Sequence, residues 1–201
     1  MPYPTHDMAA ARAPNGLLYV IGGSTDRDPF YPTCSVEAYS PVTNSWTNAV
    51  APLHTCRQHL AAVSGTDGRI YAIGGATDNH ELASASDVVE AYNPHTNMWI
   101  TVAPMLNLRD SPTAAVAHNG HIYVFGGQRM DSPEEVLVVE EYSPRTNTWR
   151  EVSHLPSHTI DAGFGDVPAV RGNFTAVTGS DGRIYLVGGT LSSTTVQDDQ
   201  A

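Results

Sequence analysis

Histidine, cysteine and carboxylate side chains are where this chain would do chemistry, and they are thinly spread. Nine histidines occur in 201 residues, none in the Glu-His spacing that zinc enzymes use. His118 and His121 flank an Asn-Gly turn, so scattered surface histidine is the stronger account of them. His154, His158, Asp161 and Asp166 gather on one long segment and could converge on a metal, but an exposed polar loop without a ligand role is the stronger account there too. No metal and no cofactor is expected. Cys34 and Cys56 are the only cysteines. The N-terminal residues 1–7 carry neither the basic region nor the apolar core of an export signal. Two free thiols in a cytoplasmic chain are therefore expected rather than a disulfide.

The elements that would carry these groups are far more regular than the groups themselves. Leu17-Leu18-Tyr19-Val20-Ile21-Gly22-Gly23 is echoed by Ile70-Tyr71-Ala72-Ile73-Gly74-Gly75, Ile122-Tyr123-Val124-Phe125-Gly126-Gly127 and Ile184-Tyr185-Leu186-Val187-Gly188-Gly189. The second glycines are separated by 52, 52 and 62 residues. A period near 50 residues is that of stacked β-sheet units. A tyrosine follows each of the first three glycine pairs, with a tryptophan seven positions later: Tyr39 and Trp46, Tyr92 and Trp99, Tyr142 and Trp149. Between them lies a Pro-x-Thr-Asn turn that ends one strand and starts another. A Val-Glu step precedes each tyrosine, at Glu37, Glu90 and Glu140. Asn15-Gly16, Asp67-Gly68, Asn119-Gly120 and Asp181-Gly182 precede the glycine runs, and such pairs supply the positive φ of tight hairpins. Each unit reads as a four-stranded antiparallel sheet.

Composition bounds the partners. Ten basic against 21 acidic residues give a net charge of −11, which repels phosphate backbones and anionic membranes. Neither nucleic acid nor membrane is expected as a partner, and no apolar stretch approaches the length of a membrane span.

The order diglycine, Val-Glu-x-Tyr, Pro-x-Thr-Asn, Trp resembles the Kelch repeat, present three times with a fourth partial copy. The resemblance implies an all-β fold, a propeller of four-stranded blades with the first strand nearest the axis. The innermost strands would be 8–12, 60–63, 113–117 and 174–178. Blades are expected at about 8–50, 60–102 and 113–152, with a partial fourth at about 173–201. Closed Kelch propellers generally have six or seven blades, so an incomplete arc is expected here, with self-association through its open edges. Tyrosine and tryptophan would fill the wedges between blades. Glu37, Glu90 and Glu140 would either pair with an arginine between blades or lie on a solvated face.

In such a blade the second-to-third loop and the linker to the next blade open on one face. There the units differ, at 24–33, 76–87 and 128–135 and at 52–57, 104–111 and 153–172, the last being a long insertion. The hairpins and Pro-x-Thr-Asn turns on the other face are nearly identical. Varied loops on a rigid scaffold are where binding usually resides. This face carries −6 of the net charge, relieved by Arg57, Arg109 and Arg171. The resemblance implies that it holds a segment of a partner protein, and the residues expected to contact that segment are Tyr31, Arg57, His80, Arg109, Arg129, Phe164 and Arg171. The contrasting expectation is an enzyme. A few Kelch-fold proteins are copper-radical oxidases or sialic-acid epimerases. An epimerase would need an acid and a base at the channel, where Arg57 and His59 fall.

Overall fold

The structure, a computed structural model, describes residues 4–25, 28–77, 85–128, 137–156, 158–161 and 166–193, with backbone alone at 28–30, 158–161, 166–173 and 191–193. The repeat pattern becomes three sheets of identical design. Strands Ala9–Arg12, Leu18–Ile21, Val36–Ser40 and Ser45–Thr47 pair antiparallel in that order to form blade 1. Ala61–Ser64, Ile70–Ile73, Val89–Asn93 and Met98–Thr101 form blade 2. Thr113–Val116, Ile122–Phe125, Val138–Ser143 and Thr148–His154 form blade 3.

Local chemistry explains where strands turn. In the first hairpin Gly16 adopts φ 84°, and the Leu17 amide donates to Asn15 Oδ1 at 3.0 Å. Asp67 and Asn119 accept in the same way from the amides of Arg69 and His121. The Pro-x-Thr-Asn turns end on Asn44, Asn97 and Asn147, all left-handed, a conformation asparagine tolerates better than most residues. Each of these asparagines also accepts a hydrogen bond from the tyrosine hydroxyl of its own blade at 2.8 Å.

The core lies between blades rather than within them. Tyr19, Ile21, Val36 and Ala38 of blade 1 face Ile70, Ala72, Tyr92 and Trp99 of blade 2. Tyr71, Ile73, Val89 and Ala91 on the other side of blade 2 face Ile122, Val124 and Tyr142 of blade 3, with Trp149 packed against them. Inner strands of successive blades lie side by side. The Ser64 hydroxyl of one donates to the Arg12 carbonyl of the previous.

The fourth unit departs from the pattern. The 153–172 insertion is not simply a loop: His158–Asp161 and the start of the thirteen-residue strand Asp166–Thr178 pair with each other, and the long strand also pairs with Ile184–Ser193. The last glycine pair, Gly188-Gly189, lies inside a strand instead of ending it. The reason is the surroundings. At Gly22 a Cβ would collide with the Arg57 carbonyl, and at Gly75 with the Gln58 carbonyl, whereas at Gly188 nothing lies within 4 Å. With no linker packed on it among the described residues, the strand runs on. Residues 194–201, the end of the expected partial fourth blade, lie outside the described residues. Across the described residues the sheets form an open arc.

The cysteine expectation is corrected: Cys34 and Cys56 are joined in a disulfide. The Leu53 amide donates to the Cys34 carbonyl at 3.0 Å, which lays the blade 1 to blade 2 linker along the start of the third strand. That register brings the two thiols together. Among the described residues no helix is long and apolar enough to cross a membrane.

Candidate functional site

The recurrent side chains assemble into one repeated clasp. Arg57, on the linker leaving blade 1, enters blade 2 with 0% exposure. Its Nη1 donates to the carbonyls of Gly74 at 2.8 Å and Val88 at 2.7 Å, and its Nη2 to Glu90 Oε1 at 3.1 Å. Glu90, also at 0%, takes two further bonds from the linker amides of His54 and Thr55. Arg109 repeats this one blade later. It donates to the Gly126 and Val138 carbonyls at 2.6 Å each and to Glu140 Oε1 from both Nε and Nη2. Glu90 and Glu140 thus pair with arginines between blades and do not lie on a solvated face. Burial opposes the charge on Arg57 and lowers its pKa, and Glu90 partly restores it.

The expectation that Arg57 and Arg109 contact a partner is corrected by this geometry. Both guanidinium groups are enclosed and spent on carbonyls and a carboxylate. They hold the linkers in place, enclosed within the blades rather than facing the variable loops.

Asparagine and tryptophan complete the clasp from the outer strands. Asn97 Oδ1 accepts the Ala51 amide, and the Trp99 indole donates to the Ala51 carbonyl at 2.9 Å. Asn147 and Trp149 do the same to Ala103. Blade 1 has the matching Glu37, Asn44 and Trp46, but Thr5 stands where the repeat places arginine. Burial raises the Glu37 pKa, and a cleft of about 400 Å³ lined by Thr5, Thr33, Val36 and Glu37 opens beside it.

The variable face is built where linkers meet the second-to-third loops. Isolated bridges Gln58–Ala76 and Asp110–Gln128 fix the two together. Tyr31 stands there at 59% exposure, on strand Asp28–Pro32, which pairs with Ser24–Thr25. His80, Arg129 and Phe164 lie outside the described residues, and Arg171 is described in backbone only, within Asp166–Thr178. The four candidate ligands of the insertion are likewise split: His154 ends one strand, His158 and Asp161 belong to the next, and Asp166 begins a third.

One cluster on this face was only partly foreseen. Asp7, His59 and Ser111 occupy the same position in successive units, all in the left-handed region. His59 Nε2 is 3.4 Å from Asp7, and its Nδ1 is 3.2 Å from Asp110. His6 adds a 2.6 Å contact to Asp7 and a 3.1 Å contact to the Ser24 hydroxyl. Asp110, beside its Nδ1, is the main cause of a raised His59 pKa, against burial and with help from Asp7. The bond from His6 is the main cause of a lowered Asp7 pKa, with His59 contributing. The repeat interval of 52 carries this signal, since residue 7 aligns with 59 and 111.

Comparison with known proteins agrees with the geometry. A family model described as the KLHDC2/KLHL20/DRC7 Kelch-repeats domain matches residues 5–200. Kelch-like protein 35 of Mus musculus is 30% identical over 184 residues, covering 92% of this chain and 26% of that protein. Kelch repeat and BTB domain-containing protein 12 of Danio rerio is 31% identical over 183 residues, covering 85% and 28%. Kelch-like protein 23 of Homo sapiens is 30% identical over 149 residues, covering 74% and 25%. The chain therefore spans about a quarter of the length of these relatives. With all three blades and both arginine clasps lying inside the matched region, the chain belongs to the Kelch-repeat family.

Proposed function

We propose that the chain is a non-enzymatic interaction module that holds a segment of a partner protein on its variable loop face. One observation carries this reading. The recurrent polar residues Arg57, Glu90, Arg109, Glu140, Asn97 and Asn147 are consumed by contacts between blades, so chemistry specific to this chain resides in the loops that differ. The exposed Tyr31 is an aromatic anchor on that face, and Arg129, His80, Phe164 and Arg171 belong to its loops or insertion by sequence. Membership of the Kelch-repeat family supports a protein partner. The acidic balance of the face favours a segment with a basic or amide-rich rim, and such rim charges act chiefly on association rate and salt dependence.

The test is a titration with a partner recovered by pull-down. Tyr31→Ala and Arg129→Ala should weaken binding while leaving the melting temperature unchanged, and His95→Ala on the opposite face should do neither. The reverse ranking would place the site on the wrong face. His59, held between two carboxylates, is the feature that favours a second reading, a sugar epimerase; turnover of an N-acylated amino sugar, lost in His59→Gln, would establish it instead.

A further inference from the structure

The second-to-third loops of blades 1 and 2 end on the same backbone scaffold, tied to the linker by different bonds. The Thr33 amide donates to the Gly23 carbonyl at 2.7 Å, as the Ser86 amide donates to that of Gly75 at 2.9 Å. The Leu53 amide donates to the Cys34 carbonyl at 3.0 Å, as Met105 does to Asp87 at 2.9 Å and Leu155 to Leu137 at 2.7 Å. On the linker, the amides of Gly23 and Gly75 donate to the carbonyls of Arg57 and Arg109. These bonds align Thr33 with Ser86, Cys34 with Asp87, Cys56 with Leu108 and Arg57 with Arg109. In blade 2 a backbone bridge ties the loop to the linker, with the Arg109 amide donating to the Ser86 carbonyl at 3.1 Å. No such bridge joins Thr33 to Arg57 among the described residues. The disulfide joins the residues beside them, Cys34 and Cys56, in its stead. The course of the linker does not need that bond, since the next two linkers run the same way without cysteine.

We propose that Cys34–Cys56 is a reversible thiol switch for the loop of residues 24–33, which carries Tyr31. A hydrogen-bonded tie opens and recloses unaided, whereas this one opens only when two electrons are delivered. Both cysteines are half-buried, so a small dithiol reaches them. One thiolate of the dithiol attacks a cystine sulfur, the S–S bond breaks, and a mixed disulfide forms; the second thiolate of the dithiol then displaces the remaining cysteine. Each cysteine leaves as a thiolate that takes up one proton, and the dithiol ends as its cyclic disulfide. Reduction frees the C-terminal end of the loop, while the Leu53 to Cys34 hydrogen bond and the pairing of Arg57 with Glu90 keep the linker seated. In the oxidised chain Tyr31 is presented from a fixed loop; in the reduced chain binding must also order that loop, which weakens it. This consequence for binding rests on the loop-face reading, whereas the response of the loop to reduction does not.

The test is native-state hydrogen exchange of the full chain before and after excess dithiothreitol, with thiols counted by the mass added on maleimide labelling. Two thiols are expected to appear, and the Thr33 amide should exchange roughly tenfold faster or more, returning to its first rate on reoxidation. Ser86, its counterpart in blade 2, and His54 and Thr55, whose amides donate to Glu90, should keep their rates. The Cys34→Ser, Cys56→Ser double variant should exchange as the reduced chain does and be indifferent to the dithiol. A disulfide that resists dithiothreitol in the folded chain, or a Thr33 amide that does not respond to its loss, overturns the proposal. Equal acceleration at Thr33, Ser86 and Ile70–Ile73 would make the bond a staple of the whole stack and overturn it as well. None of these readouts uses a partner, so failure of the loop-face reading is scored separately, by the Tyr31→Ala titration.

Discussion

A guanidinium taken out of water is tolerated only while its donors are used, and the two arginine clasps meet that condition with carbonyls and a carboxylate on every side. Removing one member leaves the other charge buried and unpaired, which typically costs about 3–5 kcal/mol. Arg57→Ala is therefore expected to lower the denaturation midpoint severely, and Glu90→Gln nearly as much. Glu37→Gln, at the cleft beside Thr5, should be close to neutral, because no arginine faces it among the described residues. Equal effects at Glu37 and Glu90 in urea unfolding would refute the clasp. His59 gives a second expectation. Its folded pKa is raised, so its ionic contribution is fully present below the ordinary histidine value and is lost as pH rises through the raised one. The melting temperature should fall as pH rises above the ordinary histidine value of about 6.5, and His59→Gln should flatten that slope. The group is about one-third exposed, so solvent screening keeps the effect modest.

At the level of the strand and its turns, the sequence was most readable where one residue type performs one backbone task. Asn-Gly and Asp-Gly hairpins, left-handed Asn97 and Asn147, and the first three glycine pairs at strand ends appear where the repeat places them. What escaped the sequence were contacts that depend on two units at once. The arginines of the linkers looked like surface groups because their glutamate partners lie more than thirty positions away, and Cys34 and Cys56 meet only because the linker returns along the third strand. The tryptophans show the same dependence on a neighbour. Trp99 is buried against blade 1 and bonded to Ala51, whereas among the described residues Trp46 stacks on Tyr39 at 5.1 Å with no such bond. Trp99→Ala should thus cost about 3–5 kcal/mol and Trp46→Ala about 1 kcal/mol, despite identical positions in the repeat. Chemical denaturation of the two variants checks this, and similar losses would mean that the tryptophan stabilises its own blade rather than the junction.

Across the molecule, a stack whose cores lie between sheets has a stability set by how many neighbours each sheet has. Blade 2 is covered on both sides, and its strand Ile70–Ile73 is buried throughout. Among the described residues the final sheet is covered on one side only. Phe174, Ala176, Ile184 and Leu186 pack toward blade 3, while Val177, Tyr185 and Val187 remain exposed. Local opening should follow that difference, since units with fewer buried contacts open at lower free energy. Native-state hydrogen exchange is expected to show the slowest amides in Ile70–Ile73 and Val89–Asn93, and markedly faster exchange at Ile184 to Val187. The inserted strand His158–Asp161 adds one partner to the far end of Asp166–Thr178 but covers neither face of the Ile184 to Val187 segment, so it should not rescue its protection. Uniform protection from blade 1 to the last hairpin would mean that the arc unfolds as a single unit and that the junctions do not act as separable neighbours.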